Sequence, residues 1–357
     1  MAKPLVTHVL WTLGRGGAER MVLDLVKHLP EAGFDAEVLA AGGAGDLLAE
    51  YEAAGVRVIV NTKPHSRVNA VSFLRGAIRK RRPAIWHTHL TPVWGGLAAK
   101  TTFVSPWIAT AHGIEPDLSL SARLARRAAY RSANHVVCVS DSVRQAIHHL
   151  YKVPATQTSV ISPGIDLDRF PARGTQLASD IPKLVTVSRL SPEKGLDTLL
   201  RALSELLRPW HLTIVGDGPE RIALHRLAEM LGILPRVKFV GAVSDPSPYL
   251  RAADVFCMPS HHEGQGMALL EAAASYVPCI ASDLPALREA FGDDGVVFVP
   301  SKDVHAWRLG IERVLNRYPE ALLRGDIAAK VVQERYSLEG MVAKHAQLYR
   351  RFLRAPL

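Results

Sequence analysis

The residues best suited to chemistry form one run, Pro259-Ser260-His261-His262-Glu263-Gly264-Gln265-Gly266-Met267-Ala268-Leu269-Leu270-Glu271. An apolar strand over 255–260 leads into a glycine-broken turn, and a helix is expected to begin near Gly266. The amides of Gly266, Met267, Ala268 and Leu269 would then lack partners inside the helix and could meet oxygens of a phosphate or a sugar. Glu263 lies in the turn and Glu271 on the helix. Two carboxylates a helix turn or two apart suit gripping hydroxyls of two different rings better than a catalytic pair. The plainer alternative makes Glu263 a capping acid and Glu271 a helix-face acid.

Cations stand at a second turn. The strand over 184–189 runs into Leu190-Ser191-Pro192-Glu193-Lys194-Gly195, so Arg189 and Lys194 flank the start of a helix. Two cations beside free helix-terminal amides make a diphosphate site that needs no metal. The next strand ends in Gly216-Asp217-Gly218-Pro219, another glycine turn into a helix with proline at its start. Near the N-terminus, Gly14-Arg15-Gly16-Gly17-Ala18-Glu19-Arg20 again puts glycines between a strand and a helix. It is not a dinucleotide fingerprint. Glu19 stands where a third glycine belongs, and the second strand ends in Ala40-Ala41-Gly42 without a ribose-binding acid.

These turns sit on a regular alternation. Strands are expected at 7–13, 35–41, 56–60, 84–89, 107–112, 135–140 and 158–162, with helices such as 18–29, 68–80, 122–131 and 142–150 between them. The pattern lapses over 163–182, where Pro163, Gly164, Pro171, Arg173, Gly174 and Pro182 mark a connection. It resumes with strands at 184–189, 211–216, 237–241, 255–260, 278–282 and 296–300, and helices such as 195–207 and 220–231. Helical segments at 304–316 and 338–353 close the chain. Strands apolar on both faces, separated by helices, predict parallel sheets covered by helices. The fold class is therefore α/β, with two Rossmann-like doubly wound domains facing a central cleft. The divisions are 1–165, a linker at 166–182, a second domain at 183–337 and a C-terminal helix at 338–357 that could cross back to the first domain.

A chain of 357 residues with 48% hydrophobic and 22% charged residues has the size and composition of two ordinary soluble domains. No run approaches the roughly 18 apolar residues that would span a bilayer. The N-terminal residues lack a secretory pattern, and the expectation is a cytoplasmic protein. Cys138, Cys257 and Cys279 sit in apolar strands at irregular spacing, which suits reduced buried thiols. The net charge of +9 is uneven: residues 1–170 carry +7 and the remainder +2. No acidic residue occurs between Glu52 and Glu115, a stretch holding Arg57, Lys63, Arg67, Arg75, Arg79, Lys80, Arg81, Arg82 and Lys100. Arg123, Arg126, Arg127 and Arg131 follow on one helix. Such a half would attract phospholipid headgroups, a pyrophosphate-linked acceptor or nucleic acid. A solvated helix face in a basic protein is the other reading. His87 and His89 alternate on a strand and point the same way, but no third metal ligand stands at suitable spacing, so a polar strand end is expected and no metal site. Trp86, Trp94 and Trp107 read as core or rim.

Taken together, the motifs resemble the large retaining glycosyltransferase family of the GT-B fold, the group 1 or family-four type marked by Glu-x7-Glu. The matching pieces span nearly the whole chain: the Gly16-Gly17 loop, Ala111-His112-Gly113, Val139-Ser140, Pro163-Gly164-Ile165-Asp166, Arg189 with Pro192-Glu193-Lys194-Gly195, Gly216-Asp217-Gly218-Pro219, Val240-Gly241, and Glu263 to Glu271. The resemblance implies transfer of a sugar from a nucleoside-diphosphate sugar to a hydroxyl acceptor, such as a lipid-linked glycan or a cell-surface polysaccharide precursor. It implies no metal. Arg189 and Lys194 would bind the diphosphate, with Gly216 lining the site. Gly16 and Gly17 would meet the same phosphate from the first domain. Glu271 would bind the ribose, Glu263 and the amides after Gly264 the sugar and β-phosphate, and His112 would face the sugar near the reacting carbon. Members retain anomeric configuration, with the leaving phosphate accepting the acceptor's proton, so catalysis rests on stabilising a departing diphosphate. Gln265 and Ala268 depart from the usual aromatic and proline, which leaves the donor sugar open. The basic first domain adds an expected peripheral contact with an anionic membrane.

Two alternatives use the same residues. A nucleotide-sugar epimerase would need acid–base carboxylates near the sugar, for which the first domain offers only Glu115 and Asp117. A basic, non-catalytic nucleic-acid-binding protein would rest on the arginines alone, without a reader motif or interleaved aromatics. Nucleic acid is therefore not the expected partner.

Overall fold

A computed structural model describes residues 2–63, 66–113, 118–172 and 180–354. The chain divides into two compact units, Met1–Gly164 with Leu338–Leu357, and Ile165–Ser337.

In unit 1 a seven-stranded parallel sheet holds β1 (Leu5–Leu10), β2 (Asp35–Ala40), β3 (Arg57–Val60), β4 (Ile85–His89), β5 (Trp107–Ala111), β6 (His135–Cys138) and β7 (Thr158–Val160), ordered β3-β2-β1-β4-β5-β6-β7. The central strands β4, β5 and β6 are buried along their whole length, as both faces carry helices. These helices are α1 (Gly17–His28), α2 (Leu48–Ala53), α3 (Arg67–Arg81), α4 (Pro92–Thr102), α5 (Leu120–Ser132) and α6 (Asp141–Tyr151). Serine side chains at 66, 119 and 140 cap the amide three residues on at the starts of α3, α5 and α6, so those helices begin where a hydroxyl meets the first turn.

Unit 2 repeats the plan. Its six-stranded sheet runs β10-β9-β8-β11-β12-β13, from β8 (Lys183–Val187), β9 (His211–Val215), β10 (Val237–Gly241), β11 (Val255–Met258), β12 (Cys279–Ser282) and β13 (Val297–Val299). The helices are α7 (Leu196–Ser204), α8 (Arg221–Met230), α9 (Ser247–Arg251), α10 (Met267–Ala274), α11 (Pro285–Phe291), α12 (Val304–Asn316) and α13 (Tyr318–Arg335). The final helix, α14 (Leu338–Arg354), belongs to unit 1. Its Leu338, Met341, Val342, Ala346 and Tyr349 share a core with Met21, Val22, Leu25 and Phe34.

Each sheet reverses its strand order once, between β1 and β4 in unit 1 and between β8 and β11 in unit 2. Neighbouring strands there send their following helices to opposite faces, which leaves a crevice at the strand carboxyl ends.

Two features differ from the sequence reading. The 18-residue helix α13 was not expected, because its buried stripe of Ala321, Gly325, Ala328, Ala329 and Val332 is made of small residues and gives a faint hydrophobic period. Gly325 explains the choice: a Cβ there would lie 3.1 Å from the Tyr276 carbonyl oxygen. The stretch taken as a connection is partly structural. Ile165 bridges to Ser337 and Phe170 is buried in the unit 2 core, while Arg173 and Gly174 lie outside the described residues. The three cysteines are buried and free, and burial pushes the Cys138 thiol up to about 12. Trp86 and Trp107 are core, and Trp94 stacks under the Arg67 guanidinium at 5.3 Å.

Candidate functional site

In unit 2 the turns after β8, β9 and β11 interlock. Gly195, at φ +61°, brings the first against the third: an added Cβ would sit 2.2 Å from the Pro259 carbonyl oxygen. The His261 amide donates to the Glu193 carbonyl at 2.8 Å, and the Leu190 amide to the Asp217 carbonyl at 2.9 Å. Gly216 and Gly218 allow that last contact, since a Cβ on them would meet the Ser188 and Leu190 carbonyl oxygens at 1.9 and 2.4 Å. The glycines that looked like phosphate turns in sequence thus serve first to pack three loops edge to edge.

That packing joins residues far apart in the chain. The Lys194 Nζ lies 2.7 Å from Glu263 Oε1, and the Ser260 hydroxyl donates to the same oxygen at 2.8 Å. Both charged side chains are largely buried, with 22% and 11% exposure. Glu263 is therefore aimed by two donors, and it anchors Lys194 over the end of β11. Arg189 is exposed; its carbonyl accepts from the Ser191 amide at 3.1 Å, while its guanidinium makes no ion pair or hydrogen bond among the described residues.

Helix α10 opens with Gly266 in the left-handed region, φ +77°, packed so that a Cβ would lie 2.5 Å from Leu287 Cδ2. The amides of Gly266, Met267 and Ala268 have no acceptor among the described residues. The expectation for Leu269 is corrected. Its N–H donates to the Gly266 carbonyl at 2.9 Å, because the first turn is wound tightly in i to i+3 fashion. Three open amides remain, beside Gly264 and the lysine–glutamate pair. Glu271 follows on α10, half-buried and engaged in an interaction of its own. Gln265 is buried, and its Oε1 has no hydrogen-bond partner among the described residues.

In unit 1, Gly16 caps α1, and a Cβ there would meet Glu19 Oε2 at 2.3 Å; Gly17 is exposed at the first position of the helix. His112 follows β5 and is half-buried. Its neighbourhood departs from the sequence reading of His87 and His89. Both are fully buried, and parallel pairing sets His8 of β1 directly opposite His87. The third histidine was invisible in sequence because 79 residues separate it from His87 and only strand register unites them. Ligand atoms of His8, His87 and His89 lie within 4.8 Å of one another. Hydrogen bonds account for most of them. His87 meets the Tyr349 and Thr110 hydroxyls, each at 2.7 Å, His8 Nδ1 meets His89 Nε2 at 3.0 Å, and His89 Nδ1 meets His112 Nε2 at 3.1 Å. His345 and Tyr349, one turn apart on α14, close the cluster. Burial, followed by the neighbouring His345, pulls His8 and His112 down to about 3, and burial takes His345 down to about 4. His87 and His89 fall well below their usual range, first from burial and then from the surrounding histidines. Glu115 and Asp117, the carboxylates that an epimerase would have used, lie outside the described residues.

Two doubly wound parallel sheets, each reversing its strand order once, are the architecture of the GT-B fold. The family described as Glycosyltransferase Family 4 matches residues 15–169, and that described as Glycosyl transferases group 1 matches residues 181–317. The chain belongs to this family and is a glycosyltransferase. It is 27% identical over 376 residues to a glycogen synthase of Mycobacterium tuberculosis, covering 94% of this chain and 91% of that protein. A GDP-mannose-dependent phosphatidylinositol monomannoside mannosyltransferase of the same organism is 34% identical over 237 residues, 58% of this chain and 61% of the other. Among solved structures, Anabaena HepE in complex with UDP and glucose superposes with a TM-score of 0.88 at 19% identity, over 98% of this chain and all of that one.

Proposed function

We propose that the protein transfers a sugar from a nucleoside-diphosphate sugar to a hydroxyl acceptor with retention at the anomeric carbon. The observation that carries this reading is the Lys194–Glu263 pair lying beside the open amides of Gly266, Met267 and Ala268. A diphosphate placed there meets Lys194, Arg189 and three N–H groups, enough positive charge to stabilise it as it departs without a metal. Glu263, held by Ser260, and the orphan Oε1 of Gln265 offer acceptors to sugar hydroxyls, and Glu271 offers one to the ribose. Gly16 and Gly17 contribute backbone at the first unit's switch point, and His112 faces the sugar. The C1–phosphate bond breaks as the acceptor oxygen bonds C1 on the same face, and the acceptor's proton passes to the leaving phosphate.

The acceptor is a lipid-linked glycan or polysaccharide precursor at an anionic membrane surface, a reading supported by the +7 charge of residues 1–170. The relatives' names support sugar-nucleotide and glycan substrates as a class; the complex of HepE with UDP and glucose supports the donor type. A thermal-shift panel of UDP-, GDP- and ADP-sugars tests the donor. At about 100 times its dissociation constant the right one adds roughly 2.7 kcal/mol of stability. A flat response to all three, with and without magnesium, would refute the donor reading. NMR of the product's anomeric proton tests retention, and an inverted product would refute that step.

A further inference from the structure

The histidine chain running through unit 1 makes a demand on His112 that the transfer reading does not contain. A neutral imidazole has one donor and one acceptor nitrogen, so two imidazoles in contact fix each other's tautomers. His8 Nδ1 meets His89 Nε2, and His89 Nδ1 meets His112 Nε2, at 3.0 and 3.1 Å. Only two consistent arrangements exist. In one, protons point from His8 outward: His8 Nδ1–H donates to His89, His89 Nδ1–H donates to His112 Nε2, and His112 carries its proton on Nδ1. In the other they point inward, and His8 must carry its proton on Nε2.

The inner end of the chain decides between them. Among the described residues His8 Nε2 has no hydrogen-bond partner, and His8 is 0% exposed. An N–H orphaned there would lose its only bond, and orphaned buried N–H groups are rarer than under-satisfied acceptors. The outward arrangement leaves a lone pair at that atom instead. His345 follows the same rule, with its Nδ1 donating to the Met341 carbonyl at 3.0 Å and its Nε2 without a partner among the described residues. At the outer end, His112 Nδ1 makes no hydrogen bond among the described residues, and the residue is half-buried. The free nitrogen is the one the chain would protonate.

We infer that His89, backed by His8, is a positioning residue that locks His112 in the Nδ1–H tautomer, so that its open nitrogen donates to a hydroxyl or phosphate oxygen of the donor. This rests on the proposed placement of His112 at the sugar, but the tautomer itself does not. Burial keeps the three rings neutral, so the donor persists across the physiological range and does not become a general acid. A cation shared by His8, His87 and His89 is the competing account of the cluster. It would have to displace the His8–His89 bond and at least one of the two hydroxyl contacts of His87.

Long-range 15N–1H NMR on protein labelled at histidine nitrogen reads the tautomer directly, with His112→Gln assigning the resonance. The expected result is Nδ1–H for His112 in the native protein. His89→Leu should move it to the Nε2–H form that a free histidine side chain favours, and His89→Asn, whose amide can donate from the position of Nδ1, should restore it. With an active donor and acceptor, kcat should fall about tenfold in His89→Leu, with the donor KM within about twofold, and recover in His89→Asn. A native His112 in the Nε2–H form overturns the inference, whether or not either variant folds. So does a His8, His87 and His89 response to equimolar zinc. Failure of the native protein to use any sugar nucleotide would instead strike the proposed function and leave the tautomer result standing.

Discussion

At the scale of single residues, the proposed donor site turns on how Lys194 and Glu263 divide their work. The carboxylate accepts from Lys194 and from Ser260 through one oxygen, so it holds the ammonium in place while partly neutralising it. Removing either partner therefore has opposite consequences for an anion. Lys194→Ala deletes a charge-assisted contact of about 1.5–3 kcal/mol and leaves a carboxylate facing the phosphates. Nucleoside-diphosphate affinity should fall roughly tenfold to hundredfold by calorimetry. Glu263→Ala frees the ammonium, so affinity for the bare diphosphate should hold or rise while turnover of the whole donor drops, since the sugar has lost its acceptor. Equal losses of affinity in both variants would mean that the pair acts only as a brace between loops.

At the scale of elements, the alternation of strands and helices is legible because it follows from local pattern: apolar strands of three to six residues, glycine turns and serine caps. The turns after β8, β9 and β11 were legible for the same reason, as each follows directly from a strand. What escaped was whatever depends on register or close packing. The Leu269 amide is closed by the tightness of one turn, α13 hides behind alanines, and His8 joins His87 only because β1 pairs with β4. A helical stripe at Met341, His345 and Tyr349 was the available hint that a polar cluster awaited α14. This element pair has its own pH response. The unfolded chain protonates its histidines near pH 6.5, while His8 and His345 wait until about 3 and 4 and His87 and His89 lie well below the usual range. Below pH 6.5 the unfolded state therefore binds more protons, and stability falls with pH until the folded values are reached. Each group contributes up to about 1.4 kcal/mol per pH unit. Hydrogen exchange between pH 7.5 and 5.5, corrected for intrinsic rates, should show β1 and β4 amides losing protection well before those of β8 and β11. Equal losses in both sheets would contradict this.

At the scale of the whole molecule, most of the cations behind the charge asymmetry are exposed. Arg81 is committed inward: its guanidinium pairs at 2.8 Å with Glu37, whose side chain is 1% exposed, so it neutralises a buried acid and offers nothing to a partner. Arg79, Lys80, Arg82, Arg123 and Arg127 are exposed. On α5, Leu120 and Leu124 are exposed at 74% and 55%, one turn apart and beside Arg123 and Arg127, a combination that nucleic acid does not require and a lipid surface rewards. No helix among the described residues is long and apolar enough to cross a membrane. Surface attachment would then combine about 1 kcal/mol per basic residue near anionic headgroups with shallow burial of two leucines. Flotation with phosphatidylcholine vesicles, with and without phosphatidylglycerol, separates the two contributions. Binding should require the anionic lipid, weaken as salt shortens the Debye length below about 10 Å, and fall in Arg123→Glu/Arg127→Glu. Leu120→Ser/Leu124→Ser should weaken vesicle binding at every salt concentration while leaving any DNA affinity unchanged. Indifference to anionic vesicles at low salt would detach the acceptor from the membrane, whereas DNA binding as tight as vesicle binding would reduce the patch to unspecific charge.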